Sequence, residues 1–365
     1  MRILVMNAGS SSLKVSLVGP KDETLAEKDF EASSGEVAPD KLEGAIHEMG
    51  DVDAVGHRVV HGGPRYTSSV RIEPDMIRYL STITDLAPLH LPASLVAIAA
   101  VRKLLPRVPA VACFDTAFHS RMPAAASTYA IPAEWRKKHG IRRFGFHGFS
   151  HAYASRRATE MLRRPENDLK VVTCHLGSGA SVAAVWGGRS VDTTMGFTPL
   201  EGLVMATRSG SIDPGLILWL QRHAGATEQE LNTALDTQSG LKALAGTQDM
   251  KEVLRKMSSG DEDARLAFDV YVHRLRACIA SMTAAMGGMD ALVFTGGVGE
   301  HAAPVRAETV SGLRFLGVEV EPTLNANLVA DADISAPDAK VPTLVVRARE
   351  DVEVARDVRR VLSAG

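Results

Sequence analysis

The chain has 365 residues, of which 45% are hydrophobic and 23% charged, and its formal net charge at pH 7 is −2. Chains longer than about 250 to 300 residues usually divide into domains, so we expect two. The nearly neutral charge provides no bulk attraction to nucleic acid or to an anionic membrane, and we expect neither as a partner.

The beginning of the chain does not resemble a secretory signal. Its apolar run at residues 3–6 ends at the polar Asn7 and is too short for a signal peptide. No segment approaches the roughly 20 apolar residues that cross a bilayer. Cys113, Cys174 and Cys278 are isolated in the sequence and form no Cys-x-x-Cys pair. We therefore expect a cytoplasmic protein with reduced cysteines.

Two turns rich in glycine and serine each lie between two predicted strands. The segments are ILVMNAGSSSLKVSLV (residues 3–18) and VVTCHLGSGASVAAVW (residues 171–186). Superposing them places Asn7 on His175 and the glycine and serine of one turn on those of the other. This repetition predicts a duplicated fold.

Further apolar segments end in polar or glycine residues and alternate with helical patterns. They are DAVGHRVVHGG (53–63), PAVACFDTAFH (109–119), DALVFTGGVGEH (290–301) and VPTLVVRARED (341–351). Helical periodicity is present over 264–286 and again over 352–361. Such alternation predicts an α/β protein with ligands beyond the carboxyl ends of its strands.

The glycine-rich turns have a phosphate-binding interpretation and a purely structural one. Backbone amides of such a turn face an anion without side-chain obstruction. A dinucleotide loop needs G-x-G-x-x-G opening a helix, whereas a valine-rich predicted strand follows Gly177 and Gly179. Either hairpin alone is equally consistent with a plain tight turn. The glycines of DALVFTGGVGEH, before a helix predicted from Ala303, are a second place for phosphate or a nucleoside.

Two arginines and one histidine stand out from their surroundings. Arg58 and Arg208 lie among apolar residues beside glycine, and a guanidinium buried without an anion costs several kcal/mol. Each needs a phosphate, a substrate carboxylate or an internal ion pair. His147 lies between glycines and is expected to approach a ligand. His151 is expected to be structural, because no further zinc ligands accompany the pair.

Two carboxylates follow predicted strands. Asp115 comes after the apolar run 108–114, and Glu350 follows 344–346 and opens a helix. Carboxylates at strand ends beside phosphate loops are suited to Mg²⁺. For Glu350 the alternative is an acid that complements the helix dipole.

Eight motifs together resemble the acetate kinase family over nearly the whole chain. They are NAGSSSLK (7–14), GHRVVHGG (56–63), APLHLP (87–92), FDTAFH (114–119), GFHGFSH (145–151), MGFTPLEGL (195–203), TRSGSIDPG (207–215) and FTGGVGEH (294–301). The resemblance implies a duplicated ribonuclease-H-like (actin-like ATPase) α/β fold with two domains around a central cleft. It implies an N-terminal domain of residues 1–119 and 352–365, and a C-terminal domain of residues 120–351 with the nucleotide site and the interface of a homodimer.

The same resemblance implies reversible, direct, in-line transfer of the ATP γ-phosphoryl group to acetate, giving acetyl phosphate and ADP. Its catalytic residues are Arg58, Asp115, His147 and Arg208. Its substrate-binding residues are Arg58, Val60, Leu89, His90, Phe146 and Pro199. Mg²⁺, with Mn²⁺ as the alternative ion, is assigned to Asn7, Asp115 and Glu350. ATP or ADP is assigned to Asn7, Ser10, Ser12, Lys14, His175, Gly177, Ser178, Gly179, Asp249, Met250, Lys251, Gly297, Gly299 and His301.

Three residues depart from the family pattern, all on the expected nucleotide side. Ser178 and His301 stand where the family usually has asparagine, and Lys251 stands where arginine is common. These departures therefore bear on the phosphoryl donor and not on the acceptor. The alternatives are a propionate or butyrate kinase of the same family and a nucleotide-binding relative with altered catalysis. A dinucleotide oxidoreductase fits the glycine pattern least well.

Overall fold

The computed structural model describes residues 1–9, 12–31, 37–88, 90–328 and 331–363. The strands are β1 (Ile3–Ala8), β2 (Ser12–Val18), β3 (Thr24–Glu31), β4 (Ala54–Val59), β5 (Val70–Arg71), β6 (Ala110–Phe114), β7 (Lys170–Leu176), β8 (Ala180–Trp186), β9 (Arg189–Thr193), β10 (Ala291–Thr295), β11 (Ala332–Asp333) and β12 (Thr343–Val345). The α-helices are α1 (Pro39–Met49), α2 (Pro74–Ser81), α3 (Leu91–Leu104), α4 (Ala124–Ser127), α5 (Ala133–His139), α6 (Gly148–Leu162), α7 (Pro214–His223), α8 (Glu228–Thr237), α9 (Gly240–Ala245), α10 (Met250–Ser258), α11 (Glu262–Ala285), α12 (Gly296–His301), α13 (Ala303–Ser311), α14 (Pro322–Ala326) and α15 (Glu350–Ser363). Short 3₁₀ turns lie at Thr84–Leu86, Asp115–Ala117, Glu166–Asp168 and Arg314–Leu316.

The chain divides into two compact units. Unit 1 comprises Met1–Ser120, Phe146–Tyr153 and Arg349–Gly365, and unit 2 comprises Arg121–Gly145 and Ala154–Ala348. The domain boundaries drawn from the sequence remain a prediction.

Each unit contains a six-stranded sheet, and the two sheets have the same topology. The strand order is β3-β2-β1-β4-β6-β5 in unit 1 and β9-β8-β7-β10-β12-β11 in unit 2. In both sheets the first three strands of the unit form an antiparallel meander, and two later strands run parallel to the first of them. The strand at the far edge is antiparallel to its neighbour. The duplicated α/β fold predicted from the two hairpins is confirmed.

Helices cover both faces of the unit 1 sheet. Ile3 and Val5 of β1 pack on one face with Val354 of α15. Leu4 and Met6 pack on the other face with α1 and α3. A strand buried on both faces is apolar throughout, which explains why the first polar residue of β1 is found at its carboxyl end.

The longest helix, α11, packs against the sheet of unit 2 along β7, β8 and β9. Its buried side includes Phe268, Val272, Leu275 and Ile279, at the spacing of one helical face. Within the described parts of the chain, no helix is both long and apolar enough to span a membrane.

Candidate active site

The carboxyl ends of three neighbouring strands bring together predicted site residues in unit 1. Asn7 of β1 lies beside Arg58 of β4 in a parallel ladder, and Asp115 directly follows β6. Glu350 is the first residue of α15. Because parallel strands end at a common edge, residues far apart in sequence meet there.

Arg58 connects the other three residues of this cluster. Its Nη2 donates a hydrogen bond to the Asp115 carboxylate, and its Nη1 donates to Asn7 Oδ1 at 3.0 Å. Its Nε lies 3.5 Å from Glu350 Oε2. Asn7 Nδ2 donates to the same glutamate oxygen at 3.3 Å. The internal ion pair that was one interpretation of Arg58 is therefore present.

The cluster combines one positive charge with two negative charges in a buried setting. The side chain of Asp115 is 1% exposed and that of Arg58 is 12% exposed. Burial, with a further contribution from Glu350, raises the pKa of Asp115 to about 6, although Arg58 opposes this. Burial lowers the pKa of Arg58, but the carboxylates of Asp115 and Glu350 outweigh burial, so that the net direction is upward. The excess of negative charge favours an additional cation.

The donor atoms of the cluster fit a hard divalent cation. Asp115 Oδ1 is buried and has no hydrogen-bond partner among the described residues. With the oxygens of Glu350 and Asn7 it forms a set of oxygen donors of the kind that Mg²⁺ prefers, with water completing the shell. No group of three or more His, Cys, Asp or Glu side chains in the described part of the chain is arranged to hold a metal ion. The fit is therefore to an ion held by two carboxylates, one amide oxygen and water.

His147 adopts a backbone conformation that is uncommon for a residue other than glycine, with φ of 55°. It immediately precedes α6, and its carbonyl accepts a hydrogen bond from the backbone N–H of His151 at 3.0 Å. His119 Nε2 lies 3.0 Å from the carbonyl oxygen of Phe146 and donates to it. Burial lowers the pKa of His119 to about 4, so its ring is neutral near pH 7. The backbone strain at His147 is of a kind that costs about 1 to 3 kcal/mol and is concentrated at functional positions.

The remaining predicted residues of unit 1 have varied surroundings. Val60 and Phe146 are buried. His90 precedes α3, and Ser12 begins β2. Lys14 Nζ lies 3.0 Å from Glu27 Oε1 in a half-exposed ion pair. Ser10 and Leu89 lie outside the described residues.

Arg208 has an acidic partner that the sequence did not reveal. Its Nε lies 3.0 Å from Asp236 Oδ1, and the two side chains are 19% and 27% exposed. Its Nη1 lies 3.5 Å from the carbonyl oxygen of Pro199. Asp236 is near the end of α8, and no local pattern there distinguishes it from a surface acid. The ion pair holds Arg208 beside the loop that carries Pro199.

The second glycine hairpin is a three-residue turn between β7 and β8. Gly177 N donates to the Gly179 carbonyl at 3.0 Å, so this N–H closes the turn. Ser178 is exposed at the tip, and its carbonyl accepts from Ala206 N at 3.1 Å. His175 lies beside Thr295 in the parallel β7–β10 ladder.

The glycines of FTGGVGEH are themselves helical and form α12, although the sequence pattern predicts a helix only from Ala303. Glu300 Oε1 accepts from Gly296 N at 3.1 Å, so the first N–H of α12 is occupied by a carboxylate of the same helix. A Cβ added to Gly297 would meet nothing within 4 Å. Gly299 is buried and packs on Phe294. The open approach in α12 is therefore at Gly297.

The other predicted nucleotide residues lie at two helix ends. Asp249 precedes α10 and accepts from Lys251 N at 2.9 Å, and both residues are exposed. Met250 is buried, so its side chain contributes to the core. His301 is exposed at the end of α12.

Comparisons with known proteins agree with the resemblance seen in the motifs. A family model described as the acetokinase family matches residues 26–356. The acetate kinase of Synechococcus sp. (strain JA-2-3B'a(2-13)) is 44% identical over 402 aligned positions that cover 99% of each chain. A propionate kinase structure from Francisella tularensis subsp. tularensis SCHU S4 is 35% identical, with a TM-score of 0.91 and 99% of each chain covered. A Porphyromonas gingivalis acetate kinase structure is also 35% identical, with a TM-score of 0.90 and the same coverage. The chain belongs to the acetokinase family.

Proposed function

We propose that this chain is an acetate kinase that transfers the γ-phosphoryl group of ATP to acetate in a reversible reaction. Its membership in the acetokinase family supplies the reaction class, with ATP or ADP as co-substrate. The observation that carries the proposal is the buried arginine and carboxylate cluster around Arg58 at the strand ends. Propionate is the second candidate acceptor, because a propionate kinase is as similar in structure as an acetate kinase.

The chemistry of the acceptor explains the residue types. A carboxylate is already ionised near neutral pH, so its attack on phosphorus needs no general base. Two anions must approach each other, and the main requirement is neutralisation of charge. Arginine and histidine side chains meet that requirement.

The residues proposed in unit 1 bind the acceptor, the transferring group and the metal ion. Arg58 binds the acceptor carboxylate, and His147 donates a hydrogen bond to the transferring group. Val60 and Phe146 provide apolar surface for the methyl group, with His90 nearby. Asn7, Asp115 and Glu350 would hold Mg²⁺, which would neutralise phosphate charge when bound.

The residues proposed in unit 2 bind the nucleotide, the transferring group and the acyl group. Arg208 neutralises charge on the transferring group, and Pro199 provides apolar surface for the acyl group. The hairpin at Gly177 and Gly179 approaches phosphate, and Gly297 approaches the nucleoside. Ser178 offers one hydroxyl where the family usually has an amide, so phosphate is held with fewer direct hydrogen bonds.

The direct test is a coupled assay of ADP release with Mg-ATP and acetate, run beside propionate, butyrate and a control without acceptor. We expect acetate-dependent turnover, with acetate giving the highest kcat/KM of the three acids. ATP binding without turnover on any acid would contradict the proposal and would support the catalytically altered relative. A higher kcat/KM for propionate would establish the second candidate.

We also propose a homodimer formed through unit 2. Helix α7 supports this, because none of its residues is buried and Leu216, Leu218 and Trp219 are 45%, 61% and 55% exposed. An apolar surface of this kind is characteristic of an interface. Trp219→Arg should convert the dimer to monomer in sedimentation velocity, whereas Trp135→Arg, which changes another exposed tryptophan, should not. A monomeric wild-type protein would contradict this assignment.

We further propose a cytoplasmic location, since the reaction consumes ATP. The net charge of −2 supports neither nucleic acid nor membrane as a partner.

A further inference from the structure

A hydrogen-bonded network in unit 2 holds the loop at residues 195–201. The hydroxyl of Tyr129 donates to Glu201 Oε2 at 2.5 Å and accepts from Phe197 N at 2.9 Å. Arg143 Nη2 donates to the other oxygen, Glu201 Oε1, at 2.7 Å. The guanidinium of Arg143 also lies 5.5 Å from the centre of the Tyr129 ring. One tyrosine therefore holds the loop both by its backbone and by its glutamate.

The network leaves no room at its centre. A Cβ added to Gly196 would lie 1.9 Å from Glu201 Oε2 and 2.1 Å from the Tyr129 hydroxyl. Only glycine fits there while the network is intact. Burial, followed by the hydrogen bond to Glu201, raises the pKa of Tyr129, so its hydroxyl remains a donor throughout the neutral range.

The loop that is held in this way carries Pro199. The two residues that the network anchors, Phe197 and Glu201, lie two residues before and two residues after the proline. The Pro199 carbonyl also lies 3.5 Å from Arg208 Nη1. Neither Tyr129 nor Arg143 is among the residues proposed to bind substrate or to act in catalysis. Their contacts nevertheless hold the residues on either side of Pro199.

We infer that Tyr129, Glu201 and Arg143 form a positioning network that sets how long an acyl chain the protein accepts. The inference rests on the proposed function, in which Pro199 provides surface for the acyl group. A loop held on both sides of the proline keeps the ring at a fixed depth against a methyl group. If one anchor is released, the ring can move back and leave space for an additional methylene.

The test compares acetate with propionate in the Tyr129→Phe variant. The variant keeps the ring but removes the hydroxyl that joins Phe197 N to Glu201. We expect the ratio of kcat/KM for acetate to that for propionate to fall about fivefold. This decrease is smaller than the total discrimination that one methylene allows, which is roughly 10- to 200-fold. The KM for ATP should stay within about twofold of wild type, since the nucleotide residues are not part of the network.

Tyr271→Phe is the matched control. Tyr271 is buried in the same unit, and its hydroxyl has no hydrogen-bond partner among the described residues. This control should leave the acetate-to-propionate ratio unchanged. If Tyr129→Phe does not fold, Glu201→Gln keeps an acceptor for Tyr129, weakens the ion pair with Arg143, and should shift the ratio in the same direction.

An unchanged acetate-to-propionate ratio in Tyr129→Phe would overturn the network as a determinant of chain length, even if kcat/KM falls equally with both acids. Wild-type protein in the same assay distinguishes the two proposals. Wild-type turnover with an unchanged ratio in the variants overturns only the network. Absence of wild-type turnover on any acid overturns the proposed function and the network together.

Discussion

The carboxyl edges of the two sheets have the same topology and different chemistry. In unit 1 the β1–β4 ladder ends with Asn7 beside Arg58, and in unit 2 the corresponding β7–β10 ladder ends with His175 beside Thr295. The unit 1 edge continues into a buried cluster of ionised side chains. The unit 2 edge continues into the glycines of α12. Duplication of the fold thus repeats the position of the strand ends without repeating the side chains found there.

The difference has a simple electrostatic basis. Ionised side chains can attract a metal ion and stabilise charge that moves during a reaction, but burying them is costly unless they are paired. Glycine backbone lets a large ligand approach closely without adding charge. We therefore expect substitutions at the unit 1 edge to change stability, metal dependence and turnover together. Substitutions at the unit 2 edge should mainly change affinity for the nucleotide.

The largest expected effect is that of Arg58→Met, because this arginine compensates two carboxylates, one of them fully buried. Loss of its charge should lower turnover about 10²- to 10³-fold. It should also lower the free energy of unfolding by about 3 to 5 kcal/mol, since an uncompensated carboxylate stays buried. Initial-rate kinetics and urea denaturation would measure the two effects.

Arg208→Met is the matched comparison from unit 2. Its partner, Asp236, is 27% exposed and can be solvated when the arginine is removed. The loss of stability should therefore be about 1 kcal/mol or less, while turnover should fall far more than affinity for ATP. Equal destabilisation by the two substitutions would remove the contrast between the two edges.

The unit 1 edge should also set the metal requirement of the protein. Asp115→Asn removes the buried carboxylate and should raise the Mg²⁺ concentration for half-maximal activity at least about tenfold. Asp75→Asn, which changes an exposed carboxylate of the same unit, is the control and should have no effect. A normal Mg²⁺ requirement in Asp115→Asn would show that this aspartate only balances Arg58.

The pH dependence of the same requirement gives a third test. With a pKa of about 6, Asp115 is ionised above that pH and protonated below it. Because a proton and Mg²⁺ compete for the carboxylate, the half-maximal Mg²⁺ concentration should be constant above pH 6 and rise about tenfold per pH unit below it. The slope should disappear in Asp115→Asn. A slope that persists in the variant would assign it to another group.

Local patterns revealed most of the elements that carry these residues. The two glycine hairpins were visible because a turn between alternating strands is a short-range signal, and their repetition led to the duplicated fold. The residues at the ends of β1, β4 and β6 were found because they interrupt apolar runs. In contrast, glycine disfavours helix, and α12 was missed because contacts from elsewhere stabilise it. Arg306 donates to the carbonyls of Gly299 and Glu300 at 2.8 and 2.9 Å.

Partners that are distant in sequence were the main omission. The hydrogen bond of Tyr129 to Glu201 spans 72 residues, and that of Arg143 to Glu201 spans 58. Each side chain alone is ordinary in its segment, and only the tertiary structure brings the three together. The partner of Arg208 was missed for the same reason. Sequence patterns identify residues that are unusual in their own segment. Residues that only hold other side chains in place are seldom unusual in that way.

The smallest predicted effect is that of Ser178→Asn in the unit 2 hairpin. Ser178 is exposed at the tip of a turn whose Gly177 N–H is already used, so we expect its side chain to be available to a phosphate. An amide offers two donors where the hydroxyl offers one, and one added hydrogen bond is worth about 0.5 to 1.5 kcal/mol. The KM for ATP should therefore fall about threefold, with kcat and the Mg²⁺ requirement unchanged. An unchanged KM for ATP would show that the turn already compensates, and a changed Mg²⁺ requirement would show that the two edges do not divide the chemistry as proposed.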